Sequence, residues 1–262
     1  IIRDTEKLGP VSTLIVESTY GDRNHAPAED RYVALRRVLT SALSRGGTVL
    51  LPAFSVERTQ ELMYELNRMA EDDHMLRVPV YLDSPLSISI SRIYKEYPAY
   101  YDKDARDRVS RGDDFLDFPN LHLCYTRDES KSINSVRGQK IIIAGSGMMN
   151  GGRIVHHALR YLSEPSSTLV LSGYQAVGTL GRSISDGASE VTIYRQKVPV
   201  RCRVVQMTEF SGHADRDTLL RWTKSAGTAP KNIFCVHGEE RTALSFAETL
   251  KKTYLSAKVT VP

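Results

Sequence analysis

Three segments of this sequence set a carboxylate or an imidazole directly after an apolar run, and a fourth sets glycines there. The first is Glu17-Ser18-Thr19-Tyr20-Gly21-Asp22. A carboxylate closing an apolar strand is partly stripped of water and needs a partner; a helix cap or a surface ion pair satisfies that need as well as an active site does. The second, Phe210-Ser211-Gly212-His213-Ala214-Asp215, holds a histidine among small residues that let something approach, with Asp215 placed to cap a following helix. The third, Phe234-Cys235-Val236-His237-Gly238-Glu239-Glu240, puts a histidine on a strand end beside a glycine. Neutral imidazole in that position is a common metal-ligand placement. Taken singly, each of these histidines reads more readily as structural, because one imidazole cannot hold a metal. The fourth segment runs from Ala144 through Gly145-Ser146-Gly147-Met148-Met149-Asn150 to Gly151-Gly152, between a strand and a helix. A glycine-rich loop opening a helix offers backbone N–H groups and a dipole to a phosphate. It is not GxGxxG in strict form and no P-loop Lys-Ser/Thr follows, so the amides of Gly145, Ser146 and Gly147 read as a generic anion cradle. A dinucleotide site is disfavoured, because the next strand ends in Leu171-Ser172 and not in an acid.

Functional groups of α/β sheets collect where strands end, and the pattern supplies such ends. Residues 11–17, 48–54, 78–82, 121–125, 140–144, 168–171, 232–236 and 258–261 read as strands. Helical spacing runs through residues 28–45, with Tyr32, Leu35, Leu39, Ala42 and Leu43 on one stripe and Gly46-Gly47 as its stop. It recurs at 56–71, where Glu57 suits the first turn, and at 86–94, 153–162, 215–224 and 241–254. Residues 98–119 predict a short helix and an irregular excursion, 128–134 one or two helical turns, and 190–207 an antiparallel pair. Strand–helix alternation along the whole chain predicts an α/β protein with a largely parallel sheet flanked by helices. No internal repeat, low-complexity tract or flexible linker interrupts it.

The 262 residues suffice for one large domain or two modest ones, and 41% hydrophobic with 25% charged is ordinary globular composition. No apolar run approaches the roughly 18 residues needed to span a bilayer, so no membrane partner is expected. The net charge of +4 permits nucleic-acid binding without demanding it. Three cysteines, Cys124, Cys202 and Cys235, lack metal or CxxC spacing, which fits buried thiols in a reducing, cytoplasmic setting.

Taken in order, these segments resemble the metallo-β-lactamase-fold nucleases that carry a β-CASP insertion. The matching stretches are Val16-Glu17-Ser18-Thr19-Tyr20-Gly21-Asp22, the run from Leu51-Pro52-Ala53-Phe54 to Glu57-Arg58-Thr59-Gln60-Glu61, and Val80-Tyr81-Leu82-Asp83-Ser84-Pro85. The glycine loop, Gly173-Tyr174-Gln175, Gly178-Thr179-Leu180-Gly181 and the two histidine segments follow. The resemblance implies the C-terminal part of a metallo-β-lactamase αββα sandwich with an inserted β-CASP domain. By it, Glu17 is the motif A acid that orients His213, the motif B histidine, and this pair is catalytic. His237 is the motif C histidine, a zinc ligand, and a histidine there is typical of the RNA-processing branches. It also points to Lys131 and Asn134, in Ser130-Lys131-Ser132-Ile133-Asn134, and to the glycine loop as substrate-binding. Arg58 is a further phosphate candidate, with pairing to a carboxylate an equal alternative.

The implied activity is zinc-dependent hydrolysis of single-stranded RNA, with two zinc ions about 3.5–4 Å apart polarising the phosphodiester. Many relatives are dimers, so a homodimer is an expectation. The family's HxHxDH metal motif is absent: the seven histidines are His25, His74, His122, His156, His157, His213 and His237, and none form HxH. Asp4 lies too close to the following strand to be the family's bridging acid. The adjacent His156-His157 pair reads as structural. The chain starts at Ile1 without Met and is expected to be a piece of a longer protein, inactive alone because one ligand is too little of a zinc site. Three pieces are expected: residues 1–21 as a strand of the lactamase-like domain, 22–211 as the β-CASP domain, and 212–262 as the return to the first. The alternative is a non-catalytic module that grips RNA or a partner subunit.

Overall fold

The computed structural model describes residues 1–25, 31–71 and 76–262. Residues 28–30 of the expected first helix, and His74, lie outside them. In chain order the elements are β1 (Thr13–Glu17), α1 (Arg31–Leu43), β2 (Thr48–Pro52), α2 (Arg58–Glu71), β3 (Val80–Leu82), α3 (Pro85–Glu96), α4 (Lys103–Ser110), β4 (Leu121–Leu123) and α5 (Arg127–Ser132). There follow β5 (Lys140–Ala144), α6 (Arg153–Tyr161), β6 (Thr168–Leu171), α7 (Leu180–Ser185), β7 (Glu190–Ile193), β8 (Gln196–Pro199), β9 (Arg203–Gln206), α8 (Arg216–Lys224), β10 (Asn232–Val236), α9 (Glu240–Thr253) and β11 (Lys258–Thr260). The chain divides into two compact units, Ile1–Arg3 with Ala28–Ser211, and Asp4–Pro27 with Gly212–Pro262.

The larger unit is built on a six-stranded sheet in the order β4-β3-β5-β2-β6-β9, parallel throughout. Strands β2 and β5 are buried along their whole length, as strands of a parallel sheet covered on both faces must be. Their side chains alternate between two cores. Val49, Leu51, Ile141 and Ile143 join the cluster that holds Leu35 and Leu39 of α1 and Leu62, Met63 and Leu66 of α2. Leu50 and Ile142 join the opposite cluster, with Ile154 and Ala158 of α6. The stretch read as an irregular excursion is irregular but not external, because Phe115, Leu116 and Phe118 are buried in the first of these cores.

Three local expectations are corrected. The antiparallel pair ends at Pro199: β7 and β8 form the hairpin, and β9 lies parallel to β6 at the sheet edge. The alternation of Val200-Arg201-Cys202-Arg203-Val204 leads into β9, whose two valines are half-buried between exposed Arg203 and Gln206. Glu57 stands ahead of α2 in a left-handed conformation, φ 65°, and its carbonyl accepts from the amide of Glu61 at 2.8 Å. The short helix α7 was not anticipated, since Gly181 and two serines within six residues mask its pattern. Its cap, Thr179 accepting from the amide of Arg182 at 3.1 Å, is the signal that marks it.

The smaller unit is a three-stranded parallel sheet, β1-β10-β11, in which Leu14, Val16, Ile233 and Cys235 pack with Leu219 of α8 and Phe246 and Leu250 of α9. All three cysteines are buried and unbridged. Among the described residues no helix is long and apolar enough to cross a membrane.

One carboxylate organises the C-terminal edge of the larger sheet. Asp83, just past β3, is 0% exposed. It accepts from Nη1 of Arg153 at 2.6 Å, Nε2 of His157 at 2.7 Å and Oγ of Ser130 at 2.6 Å. It thereby ties β3 to α5 and α6. Burial alone would raise its pKa; the bonds from His157, Ser130 and Arg153 outweigh that and hold it below the ordinary value. A depressed folded-state value means the stabilisation is present above the unfolded-state pKa and is lost as pH falls through the folded one. Asp83→Asn is expected to lower unfolding free energy at pH 7 by about 3 kcal/mol, the scale for breaking a buried pair. Urea titrations should show the gap to wild type narrowing below about pH 4, as the wild-type carboxylate takes up its proton.

Candidate active site

Strands β1 and β10 lie side by side in parallel, with Val16 opposite Cys235 and Glu17 opposite Val236. They therefore end at the same level, and the residues that follow them meet. Ser18 Oγ donates to the carbonyl of Val236 at 2.8 Å, and Thr19 Oγ1 donates to the carbonyl of His237 at 2.8 Å. Gly238 permits the approach: a Cβ there would lie 2.6 Å from Ser18 Oγ and 2.8 Å from Ser18 O. His237 turns out of β10 with φ 52°, a left-handed conformation uncommon for histidine.

His213 arrives from the segment that opens α8, where Asp215 is the N-cap and accepts from the amide of Thr218 at 2.9 Å. Its Nδ1 lies 2.7 Å from Glu17 Oε2. His237 Nδ1 lies 3.9 Å from the same oxygen, and the two imidazole rings are 5.2 Å apart. Burial pushes Glu17 up, but hydrogen bonds from His213, Thr19 and the amide of Ala214 hold its carboxyl below the ordinary value. Glu17 is therefore an anion at neutral pH and only accepts. His213 must carry a proton on Nδ1, which turns Nε2 to the opposite edge of the ring. Thr19 Oγ1 also lies 3.3 Å from His237 Nδ1. Its one proton is shared between two groups that only accept, the His237 carbonyl and the Glu17 carboxylate, so toward Nδ1–H it accepts, and the lone pair of neutral His237 sits on Nε2.

Glu17, His213 and His237 are the group of metal-compatible side chains found among the described residues, with one donor atom of each within 4.8 Å of the others. The donor set fits one corner of a metal centre. His237 is the ready ligand, its side chain 68% exposed and its tautomer fixed by Thr19. Glu17 and His213 engage each other through Nδ1 of the histidine, a bond compatible with a metal at its Nε2. Catalytic zinc takes three protein ligands and keeps an open position, so this corner needs further donors.

Two family models match. The description "Beta-Casp domain" covers residues 59–184, and "Zn-dependent metallo-hydrolase RNA specificity domain" covers residues 197–262. The chain belongs to the β-CASP family of metallo-β-lactamase-fold proteins. It is 36% identical over 244 residues to ribonuclease TTHA0252 of Thermus thermophilus, covering 93% of this chain and 55% of that protein. It is 34% identical over 253 residues to transcription termination factor FttA of Methanocaldococcus jannaschii, covering 93% and 39%. An RNase J-like protein of the same organism is 32% identical over 253 residues, covering 95% and 57%. The chain thus spans about half the length of the curated relatives it matches.

The other residues singled out in this β-CASP chain all lie in the larger unit. Lys131 on α5 faces solvent and lies 3.7 Å from Asp128, and Asn134 is exposed just beyond that helix. Arg58 is 6% exposed, ion-paired with Glu61 and set 5.7 Å from the centroid of Phe210. That placement is structural, since a guanidinium held inside the fold cannot also meet a phosphate in solvent. The glycine loop closes largely on itself. Ser146 N donates to Gly151 O at 3.2 Å, Asn150 N to Ser146 Oγ at 3.1 Å, and Gly147 O accepts from Gln175 Nε2 at 3.1 Å. The amide of Ser146 is thus engaged within the loop and is not a donor to an anion. Gly147 is required by Phe54, whose ring would lie 2.6 Å from an added Cβ. His157 is buried on Asp83, whereas His156 is exposed against Tyr194.

Sequence reasoning missed Thr19, which links both histidines, and gave no role to Asp83. The signal for Asp83 was the one used for Glu17, an acid closing an apolar strand. Gly238→Ala is expected to destabilise the chain by about 1–3 kcal/mol, the range for forcing atoms into a filled space, because the clash includes Ser18 backbone. Thermal or urea unfolding of the chain checks this.

Proposed function

We propose that the full-length protein is a metal-dependent ribonuclease that hydrolyses phosphodiester bonds of single-stranded RNA, using two zinc ions. The observation that carries the reading is the Glu17–His213 bond of 2.7 Å with His237 beside it. It is supported by membership in a family with an RNA specificity domain and by relatives named as ribonucleases. Bound zinc would supply Lewis-acid polarisation of the phosphodiester and a water of lowered pKa. His237 would offer Nε2 as one ligand. Glu17 holds His213 by Nδ1–H, which fixes the ring and presents Nε2 to the leaving oxygen. As water adds to phosphorus, shedding a proton to solvent, and the P–O bond breaks, the leaving oxygen takes the proton from Nε2 of the His213 imidazolium, which solvent then restores, and Glu17 stays an anion throughout. The three buried thiols support a cytoplasmic setting. A homodimeric parent is part of the same reading, and the native mass in solution tests it.

The deciding measurement is metal content together with cleavage of single-stranded RNA by the full-length protein. About two zinc ions per chain are expected. Loss of a general acid costs about 10²–10⁴-fold in rate, so His213→Ala should fall by that factor with zinc retained, whereas His237→Ala should lose zinc as well. No zinc and no cleavage by the wild type would leave a non-catalytic RNA- or partner-binding module as the better account.

A further inference from the structure

The segment leaving β1 is zipped onto the segment that delivers His213, entirely within the smaller unit. Tyr20 and Asp215 form a parallel bridge. Arg216 N donates to Arg23 O at 3.0 Å. Asn24 and Asp217 exchange two bonds, Nδ2 to Oδ2 at 2.7 Å and Asp217 N to Oδ1 at 3.2 Å. His25 completes the zip twice: its amide donates to Asp215 Oδ2 at 3.3 Å, and its ring Nε2 lies 3.0 Å from the carbonyl oxygen of His213. A carbonyl only accepts, so His25 carries its proton on Nε2. The ring is braced edge-on by Tyr20, with centroids 4.6 Å apart at 70°.

The proposed proton donor needs such an anchor. His213 follows Gly212, whose missing Cβ leaves the backbone free to turn, and it precedes the small Ala214. Its Nδ1 is held by Glu17, with Thr19 Oγ1 3.4 Å from the same atom and the Tyr20 ring centred 6.5 Å from its own; where the ring's base stands depends on the main chain at 213. His25 stands outside the metal-compatible group, and its Nε2 has no lone pair to give a metal while it donates to the carbonyl.

We propose that His25 is a positioning residue: its Nε2–H, given to the carbonyl of His213, holds that backbone so that the imidazole meets Glu17 and presents Nε2 to the leaving oxygen. This role in turnover rests on the ribonuclease reading; the positioning itself does not.

The test uses the full-length, metal-loaded protein with His25→Gln and His25→Phe. Glutamine carries an N–H donor close to where Nε2 stands, whereas phenylalanine keeps a ring against Tyr20 and removes the donor. Small misplacements of a reacting group cost up to about 10²-fold. His25→Phe should lower kcat on single-stranded RNA about tenfold or more with KM within about twofold, and His25→Gln should recover most of it. Both should keep wild-type zinc content. Nitrogen-15 spectra of the histidines should show the His213 Nδ1–H resonance shifted in His25→Phe and restored in His25→Gln. Should the phenylalanine variant not fold, His25→Asn, whose amide stops short of the carbonyl, takes its place with the same expectation. Unchanged kcat and an unmoved His213 resonance in the donorless variant overturn the proposal, as does an equal loss in the glutamine variant with its fold intact. If the wild type cleaves no RNA, the ribonuclease reading fails and the His213 resonance alone decides: a shift reversed by glutamine upholds positioning, and no shift ends it.

Discussion

A carboxylate at the end of an apolar strand cannot stay there without a donor, and the candidate site grows from that constraint at Glu17. Half withdrawn from water, the Glu17 anion is tolerable only because His213, Thr19 and the amide of Ala214 turn donors toward it. The donors come from far along the chain, and what brings them is the parallel register of β1 with β10. Glu17 and His237 are neighbours because two strands end level. Gly238 then lets the strand ends touch, and the zip from Tyr20 to His25 delivers His213. Slipping the register by one residue would turn the Glu17 side chain to the other face of the sheet, so packing of Leu14, Val16, Ile233 and Cys235 in the small core decides the chemistry at its rim.

The larger unit repeats the arrangement with a different outcome. Asp83 also closes an apolar strand, and it too gathers a histidine, a hydroxyl and a further donor. What separates them is access. Asp83 is wholly enclosed and its third donor is Arg153, a permanent cation, so the cluster is neutralised internally and serves to hold α5 and α6 to the sheet. Among the described residues no arginine is a partner of Glu17, which is flanked by the exposed ring of His237. Among its described partners the one that can carry a balancing charge is His213, which is able to give up its proton. One tie is therefore structural and the other is suited to proton transfer.

How much of this was legible in the sequence follows from what kind of signal each part carries. The parallel α/β character was plain because β2 and β5 are continuous apolar runs set between amphipathic helices, a signal written along ten or more residues. The site residues Glu17, His213 and His237 could be named because each sits at the edge of such a run. Distances were not legible, because residues 17, 213 and 237 meet through strand order, which local patterns do not encode. The reading of β9 went astray because the alternation of the β7–β8 hairpin continues through Val200-Arg201-Cys202-Arg203-Val204 into a strand that pairs in parallel with β6. Arg58 was ambiguous because its partner Glu61, one helical turn on, is read from sequence as easily as a solvent-facing pair. The amide of Ser146 looked available because a sequence shows which donors exist and not which are already bonded.

Hydrogen positions in the site follow from its acceptors. Carboxylates above their pKa and main-chain carbonyls never donate, so every imidazole facing one has a single permitted arrangement. Glu17 assigns a proton to Nδ1 of His213, Asp83 to Nε2 of His157, and the His213 carbonyl to Nε2 of His25. Thr19, its own proton shared between the His237 carbonyl and the Glu17 carboxylate, acts as an acceptor and assigns Nδ1–H to His237. The result sorts the histidines. Those pinned through Nδ1, His213 and His237, turn Nε2 to the opposite edge of the ring, where proton transfer or metal binding can use it. Those pinned through Nε2, His157 and His25, reach away from their own backbone to hold another segment in place. A histidine's work in this fold is thus set by which of its two nitrogens meets an acceptor that cannot give a proton back.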